Sequence, residues 1–317
     1  MDISVVMSTY NRCDLLDADI HALLNQTTDL EYEVIVVDNN STDGTAEKIQ
    51  AYAAWETRLK YVFEARQGVA YGRNAGIEVA QGDLIAFCDD DVCVAPDWIQ
   101  KIYDASVRYP DADFIGGKVI PVWRDPPPEW LRAHMAPLAL QDRGQEPFAV
   151  SLENPVCLVS ACLGVRRRAL ERAGLFDPET QRVKDGIGST EDYDWELKLW
   201  QNGGQGMYVP DVVCYSEIPR KRMDKSYHRR WHLGHGKFSA IARRPNWDSP
   251  RRLFDVPAFM YRQALDSALE FGKFLLRGDQ AEAFERETLL LFYIGFFKER
   301  WKAWLAGSAQ RTPATQS

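Results

Sequence analysis

The chain's six cysteines form no CxxC pair, which removes the usual zinc spacing. Cys88, Cys157, Cys162 and Cys214 sit in apolar stretches and are expected to be reduced, buried thiols of a cytoplasmic protein. No apolar run approaches the about 20 residues that a membrane span needs. The longest, Leu289 to Phe297, is short and interrupted at Gly295. The first residues lack the basic, apolar, small-residue order of a signal peptide, because Ile3 to Met7 runs at once into polar side chains. Also missing are the GxGxxG of dinucleotide folds and the GxxxxGK[ST] of P-loops. Zinc-dependent, membrane-spanning and secreted classes are set aside.

What is present is acidic overall, with a net charge of −8, yet unevenly so. Between Arg220 and Arg262, twelve Lys or Arg face three acids, Asp224, Asp248 and Asp255. Such a stretch holds an anion or rests on an anionic surface. No nucleic-acid module is recognisable, so nucleic acid is not expected. Tyr227-His228-Arg229-Arg230-Trp231 with His232 and His235 has no carboxylate at matching spacing, so solvated or phosphate-facing histidines are expected rather than metal ligands.

Apolar periodicity gives an α/β reading. Strands are expected at Ile3 to Met7, Glu33 to Asp38, Tyr61 to Phe63, Leu84 to Cys88, Asp111 to Ile120, Val156 to Val165 and Gly206 to Ser216. Helices are expected around Leu15 to Leu24, from Thr45, from Gly68, and over Arg167 to Ala173. Another follows a Ser189 or Thr190 cap, and two more cover Ala258 to Leu276 and Ala281 to Leu305. Strand–helix alternation with short connections means a parallel sheet. Ligands then lie at the carboxyl ends of strands, here Ser8 to Arg12, Asp38 and Asp89 to Asp91. Three adjacent acids at a strand end make sense around Mg²⁺ or Mn²⁺, which take hard oxygen ligands. An Asp-rich turn is the plain alternative. The glycines of Gly68 to Gly76, spaced GxxxGxxxG, suit either a phosphate at a helix start or close helix packing. Glu191 and Asp192 complement a helix dipole or serve chemistry.

The order of these motifs resembles the family 2 glycosyltransferases of the GT-A fold. The matching pieces are Ser8-Thr9-Tyr10-Asn11-Arg12, Val36 to Thr45, Gly68 to Gly76, Asp89-Asp90-Asp91 and Thr190-Glu191-Asp192, within residues 1–235. The resemblance implies a Rossmann-like, mostly parallel sheet flanked by helices, with a C-terminal helical extension. It implies a catalytic domain over 1–218, with a donor half 1–120 and an acceptor half 121–218. A basic, helical extension over 219–306 and a disordered tail over 307–317 complete the expectation.

Carried over, Thr9, Tyr10, Asn11, Arg12, Asp38, Gly68, Arg73, Asp89 and Asp90 would bind the donor. Asp89 and Asp91 would hold the metal as the family's DxD motif. Asp192 would be the general base, and Glu191, Trp195 and Trp231 would meet the acceptor. A single base without a second carboxylate nucleophile implies inversion. The implied partners are a nucleotide-diphosphate sugar, UDP-linked for preference, a carbohydrate or lipid-linked acceptor, and an anionic membrane touched by the basic C-terminal region. Polysaccharide, O-antigen and glycolipid assembly all accommodate such a reaction. Two departures stand out: Ser216 occupies a place where many relatives carry histidine, and Tyr227 stands where the QxxRW motif of processive synthases has glutamine. The rival readings are a sugar nucleotidylyltransferase, which would carry glycine directly after the first strand, and a nucleotide-binding protein with a decayed site.

Overall fold

The computed structural model describes residues 1–181, 186–242 and 249–309. Its first half alternates β1 (Ile3–Thr9), α1 (Leu16–Leu24), β2 (Tyr32–Asp38), α2 (Thr45–Ala53), β3 (Leu59–Phe63), α3 (Val69–Val79) and β4 (Leu84–Asp89). β5 (Val92–Val94), α4 (Trp98–Arg108), β6 (Phe114–Trp123), β7 (Phe148–Val150), β8 (Leu163–Arg166), α5 (Arg167–Ala173), α6 (Glu191–Gln201) and β9 (Gly206–Ile218) follow. Among the described residues these strands make one sheet in the order β3-β2-β1-β4-β8-β6-β9-β5, with β7 paired to β9. β3, β2, β1 and β4 run parallel, as do β6 and β9, while β8, β5 and β7 run against their neighbours.

Both faces of the sheet's centre are covered, which explains the unbroken β-branched runs. Val5, Met7, Val34, Val36, Ala86 and Cys88 feed one core, with Leu16, Ile20 and Trp98. Their alternates Val6, Ile35, Val37, Ile85 and Phe87 feed the other, with Ala70, Ile77 and Phe176. β5 and α4 have no counterpart in the sequence reading, although Trp98, Ile99, Ile102 and Ala105 are buried at helical spacing.

Chain contacts separate two compact units. Residues 1–124, 138–184 and 191–219 make the first and hold the nine-stranded sheet; residues 125–137, 185–190 and 220–317 make the second. The second contains α7 (Lys225–Ala242), a short hairpin of β10 (Arg252–Leu253) and β11 (Val256–Pro257), α8 (Ala258–Arg277) and α9 (Gln280–Ala309). α7 and α9 cross where each lacks a side chain. A Cβ on Gly236 would strike the carbonyl of Phe292, and one on Gly295 that of Leu233. The tail expected to be disordered lies outside the described residues from 310 onward.

Three expectations need correction. The strand expected over Val156 to Val165 shrinks to Leu163–Arg166, after a short 3-10 turn at Ser160–Cys162. The backbone N–H groups of Leu158 and Ser160 are taken by the carboxylates of Glu196 and Asp192, so they cannot join a ladder. Of the α7 histidines, His228 is not solvated, whereas His232 and His235 are half-buried. His228 is fully buried against Trp130 and His134, with Nε2 3.1 Å from the Arg222 carbonyl. Burial, then His228 and His134, lowers His232 to about 4. Finally, of the two cap candidates for α6, Thr190 is ruled out, because its buried hydroxyl has no hydrogen-bond partner among the described residues, which leaves Ser189 untouched.

Candidate active site

Parallel register brings three strand ends to one rim: Ser8 lies beside Asp89, and Thr9 beside Asp38. Thr9 Oγ1 donates to Asp90 Oδ2 at 2.8 Å. Arg12 faces the same acids, 3.5 Å from Asp90 and 3.8 Å from Asp91. Burial pushes the Asp90 carboxyl up to about 6; Arg12 pulls against that rise and Asp91 adds to it.

The loops behind the rim are stitched together. Asn11, in the left-handed region at φ 52°, donates its N–H to Ser41 Oγ at 3.0 Å and accepts from the Thr42 N–H at 2.8 Å. Asp38 accepts from the Ser41 N–H at 2.9 Å, closing a turn at the end of β2. Tyr10, between them, is half-buried. Gly68 opens α3 at φ 145°, where its N–H donates to Asn39 Oδ1 at 2.7 Å. A side chain at Gly68 would also collide with Gln181, whose Oε1 accepts from the Ala70 N–H at 2.8 Å.

Arg73 joins the two acidic clusters. It projects from the second turn of α3, 4 % exposed, over the ring of Phe176. Its Nη2 donates to Asp89 Oδ1 at 3.0 Å; its Nη1 donates to Asp192 Oδ1 at 3.0 Å and approaches Glu191 Oε1 at 3.4 Å. Burial opposes the guanidinium charge, but Asp192, Asp89 and Glu191 outweigh it and push the pKa up.

Asp192 sits in the first turn of α6, where its charge also suits the helix dipole. Ser160 grips it twice: Oγ donates to Asp192 Oδ1 at 2.6 Å, and the backbone N–H reaches Oδ2 at 3.2 Å. One turn on, Glu196 accepts the Leu158 N–H, and burial pushes its carboxyl well up.

The structure therefore gathers Thr9, Arg12, Asp89, Asp90 and Asp91, and ties them through Arg73 to Glu191 and Asp192. Trp195 is not among them. It is 1 % exposed, stacked on Phe176, with Nε1 donating to the Gly174 carbonyl, so it supports α6 from the core. Trp231 belongs to the second unit, with its ring stacked on His235. Ser216 is buried in β9 opposite Val92.

Ser160, Gln181 and Asp19 were missed by sequence reasoning. For Asp19 a signal existed: it occupies the buried phase of α1 with Leu16, Ile20 and Leu23. Burial, then Asp90 and Asp91, pushes it up to about 8.

The oxygen-only donors at the end of β4 fit a divalent cation. Among the described residues no three His, Cys, Asp or Glu side chains converge on one point. Mg²⁺-type sites take one or two carboxylates and complete their shell with substrate phosphate and water. Of the three acids, Asp90 faces Thr9 and Arg12, Asp89 is held by Arg73, and Asp91 lies 3.8 Å from Arg12.

A family profile, glycosyl transferase family 2, matches residues 4–174. The chain belongs to glycosyl transferase family 2. Validoxylamine A glucosyltransferase of Streptomyces hygroscopicus subsp. jinggangensis is 42 % identical over 106 residues, 32 % of this chain and 25 % of that protein. Glucosyl-dolichyl phosphate glucuronosyltransferase of Haloferax volcanii is 29 % identical over 209 residues, 65 % of each chain. The chain thus spans a quarter to two thirds of these curated relatives. Among solved structures, S. aureus TarS 1-349 in complex with UDP aligns at TM-score 0.55 and 18 % identity, covering 97 % of this chain and 92 % of that one. Mannosyltransferase PcManGT from Pyrobaculum calidifontis, in complex with GDP-Man and Mn²⁺, aligns at TM-score 0.56 and 20 % identity, covering 98 % and 75 %. These likenesses establish the fold as GT-A, as the motif order implied.

Proposed function

We propose that this family 2 chain moves one sugar from a nucleotide-diphosphate sugar, UDP-linked for preference, to a hydroxyl of a carbohydrate or lipid-linked acceptor, with inversion. The observation that carries the proposal is the position of Arg73, 3.0 Å from both Asp89 and Asp192. A carboxylate suited to the leaving diphosphate's cation and one suited to the attacking hydroxyl stand on either side of a single guanidinium. The TarS complex with UDP and the PcManGT complex with GDP-Man support a sugar-nucleotide donor, the latter's Mn²⁺ supports a divalent ion, and the name of the Haloferax protein supports a lipid-linked acceptor.

In this reading Thr9, Tyr10, Asn11, Arg12, Asp38 and Gly68 frame the nucleotide, with Asp90 fixed between Thr9 and Arg12. Asp89 and Asp91 hold Mn²⁺ or Mg²⁺, which when bound offsets the charge developing on the departing diphosphate. Asp192 takes the acceptor proton as the hydroxyl oxygen bonds to the anomeric carbon and the bond to the diphosphate breaks. Attack from the face opposite the nucleotide inverts that carbon. Glu191 lies beside the base on the acceptor side, and the basic C-terminal region makes peripheral contact with an anionic membrane.

The test is to measure donor binding and turnover separately. Asp192→Asn should retain nucleotide affinity and lose at least about a thousandfold in kcat. Asp91→Ala should abolish Mn²⁺-dependent donor binding. Unchanged turnover in the first variant, or metal-independent binding by the wild type, sinks the assignment. Release of pyrophosphate instead of nucleoside diphosphate would identify a nucleotidylyltransferase.

A further inference from the structure

The second unit carries an apolar surface that its own packing leaves uncovered. On α8, Leu265, Leu269 and Leu276 are 59 %, 66 % and 90 % exposed. Their spacing of four and seven residues aligns them on one helix face, across roughly 16 Å of axis. Met260 and Ser267, buried, mark the opposite face. The stripe continues through Tyr261, one turn before Leu265, into an aromatic patch on α9. Trp301 stacks on Tyr261 and donates Nε1 to its hydroxyl at 2.8 Å, while Trp304 packs edge-on against Phe254. Both tryptophans and Phe254 remain exposed.

Three leucines exposed to this degree along one line are not scattered surface residues; a contiguous patch marks an interaction site. The surrounding charges indicate the partner. Arg262 lies three residues before Leu265, and Lys273 four after Leu269, so helix geometry sets both cations beside the stripe. On α9 the exposed Lys298 lies three residues before Trp301, the exposed Lys302 follows it directly, 3.6 Å from Glu299, and the exposed Arg251 precedes the hairpin that carries Phe254. Leucine between lysine and arginine, with tryptophan and tyrosine at one end, is the composition of a surface lying in a bilayer interface. No described helix is long and apolar enough to cross one.

We propose that the α8 stripe and the Trp301–Trp304 patch form a docking face for an anionic lipid bilayer. The leucines and indole rings enter the headgroup boundary, and Arg262, Lys273, Lys298 and Lys302 meet lipid phosphates. This face deepens the proposed membrane contact and rests on that part of the reading alone; the transfer chemistry does not depend on it.

Flotation of the full chain with vesicles of phosphatidylcholine, with or without phosphatidylglycerol, tests the proposal. The wild type should float with the anionic vesicles, and less so at high salt. Leu265→Gln/Leu269→Gln/Leu276→Gln should reduce the bound fraction by more than about tenfold. Arg262→Ser and Lys273→Ser should each reduce it about fivefold. Because these positions are exposed, the variants should keep the wild-type melting temperature and Mn²⁺-dependent nucleotide affinity, which separates failure of this face from failure of the transferase reading. Equal flotation by the triple variant, or none by the wild type, would overturn the proposal. So would a wild-type dimer that the triple variant splits without any vesicle binding, since a second copy would then be the occupant.

Discussion

Ser160 lies outside every motif, yet it holds Asp192 from two sides. It presents a hydroxyl and an N–H to the two oxygens of Asp192, so the orientation of the proposed base depends on a residue 32 positions away. A hydrogen bond to a charged group contributes about 1.5–3 kcal/mol. Ser160→Ala should therefore lower kcat about ten- to a hundredfold, while donor affinity stays as in the wild type and Ser160→Thr restores most of the rate. Steady-state kinetics with varied acceptor would check this, and an unchanged kcat would show that Arg73 alone orients the base. Nothing local announces Ser160. It lies within an apolar run that reads as strand, and only the folded chain shows which distant carboxylate takes its donors. Asp192 drew notice because acids directly after a hydroxyl pair form a local pattern, and its proposed role as base came from the family resemblance. Trp195 shows the converse, a residue beside a motif that is spent on the core.

At the scale of elements, the glycines of α3 had two competing explanations, and the structure assigns them separately. Gly68 holds a backbone conformation and a contact with Gln181 that a side chain would forbid. Gly72 and Gly76 let α3 approach β1, since a Cβ at either would strike Ser8 or Val6. That close approach is what aims Arg73, one residue past Gly72, at the ends of β4 and α6. Gly76→Ala should cost about 1–3 kcal/mol through overpacking, read as a lower melting temperature. A neutral result would mean that Val6 can move aside. The central strands were readable because a strand buried on both faces needs apolar residues at every position. β5 was not readable, because three residues paired only with β9 give no period to detect. His228 was misread for a related reason: a polar residue in a basic stretch looks solvated until Trp130 and His134 are seen to cover it.

For the molecule as a whole, the proposed site lies at the strand ends of one unit and the exposed leucines and tryptophans belong to the other, so the proposed catalysis and docking are open to separate mutation. One consequence of the Arg73 junction lies in its charge balance. In these contacts five carboxyl groups, Asp89, Asp90, Asp91, Glu191 and Asp192, meet two guanidinium groups, Arg12 and Arg73. The difference is three negative charges. A bare nucleoside diphosphate brings more of the same sign and is repelled over the roughly 10 Å that ions at 0.1 M leave unscreened. Added potassium chloride should then strengthen donor binding when divalent ions are chelated, and do so less when Mn²⁺ is supplied, because two positive charges cut the excess from three to one. Calorimetric titration at two salt concentrations, with and without EDTA, would show whether the salt dependence shrinks. The cluster would thus act as an electrostatic lock that admits the sugar nucleotide only in the company of its counterion.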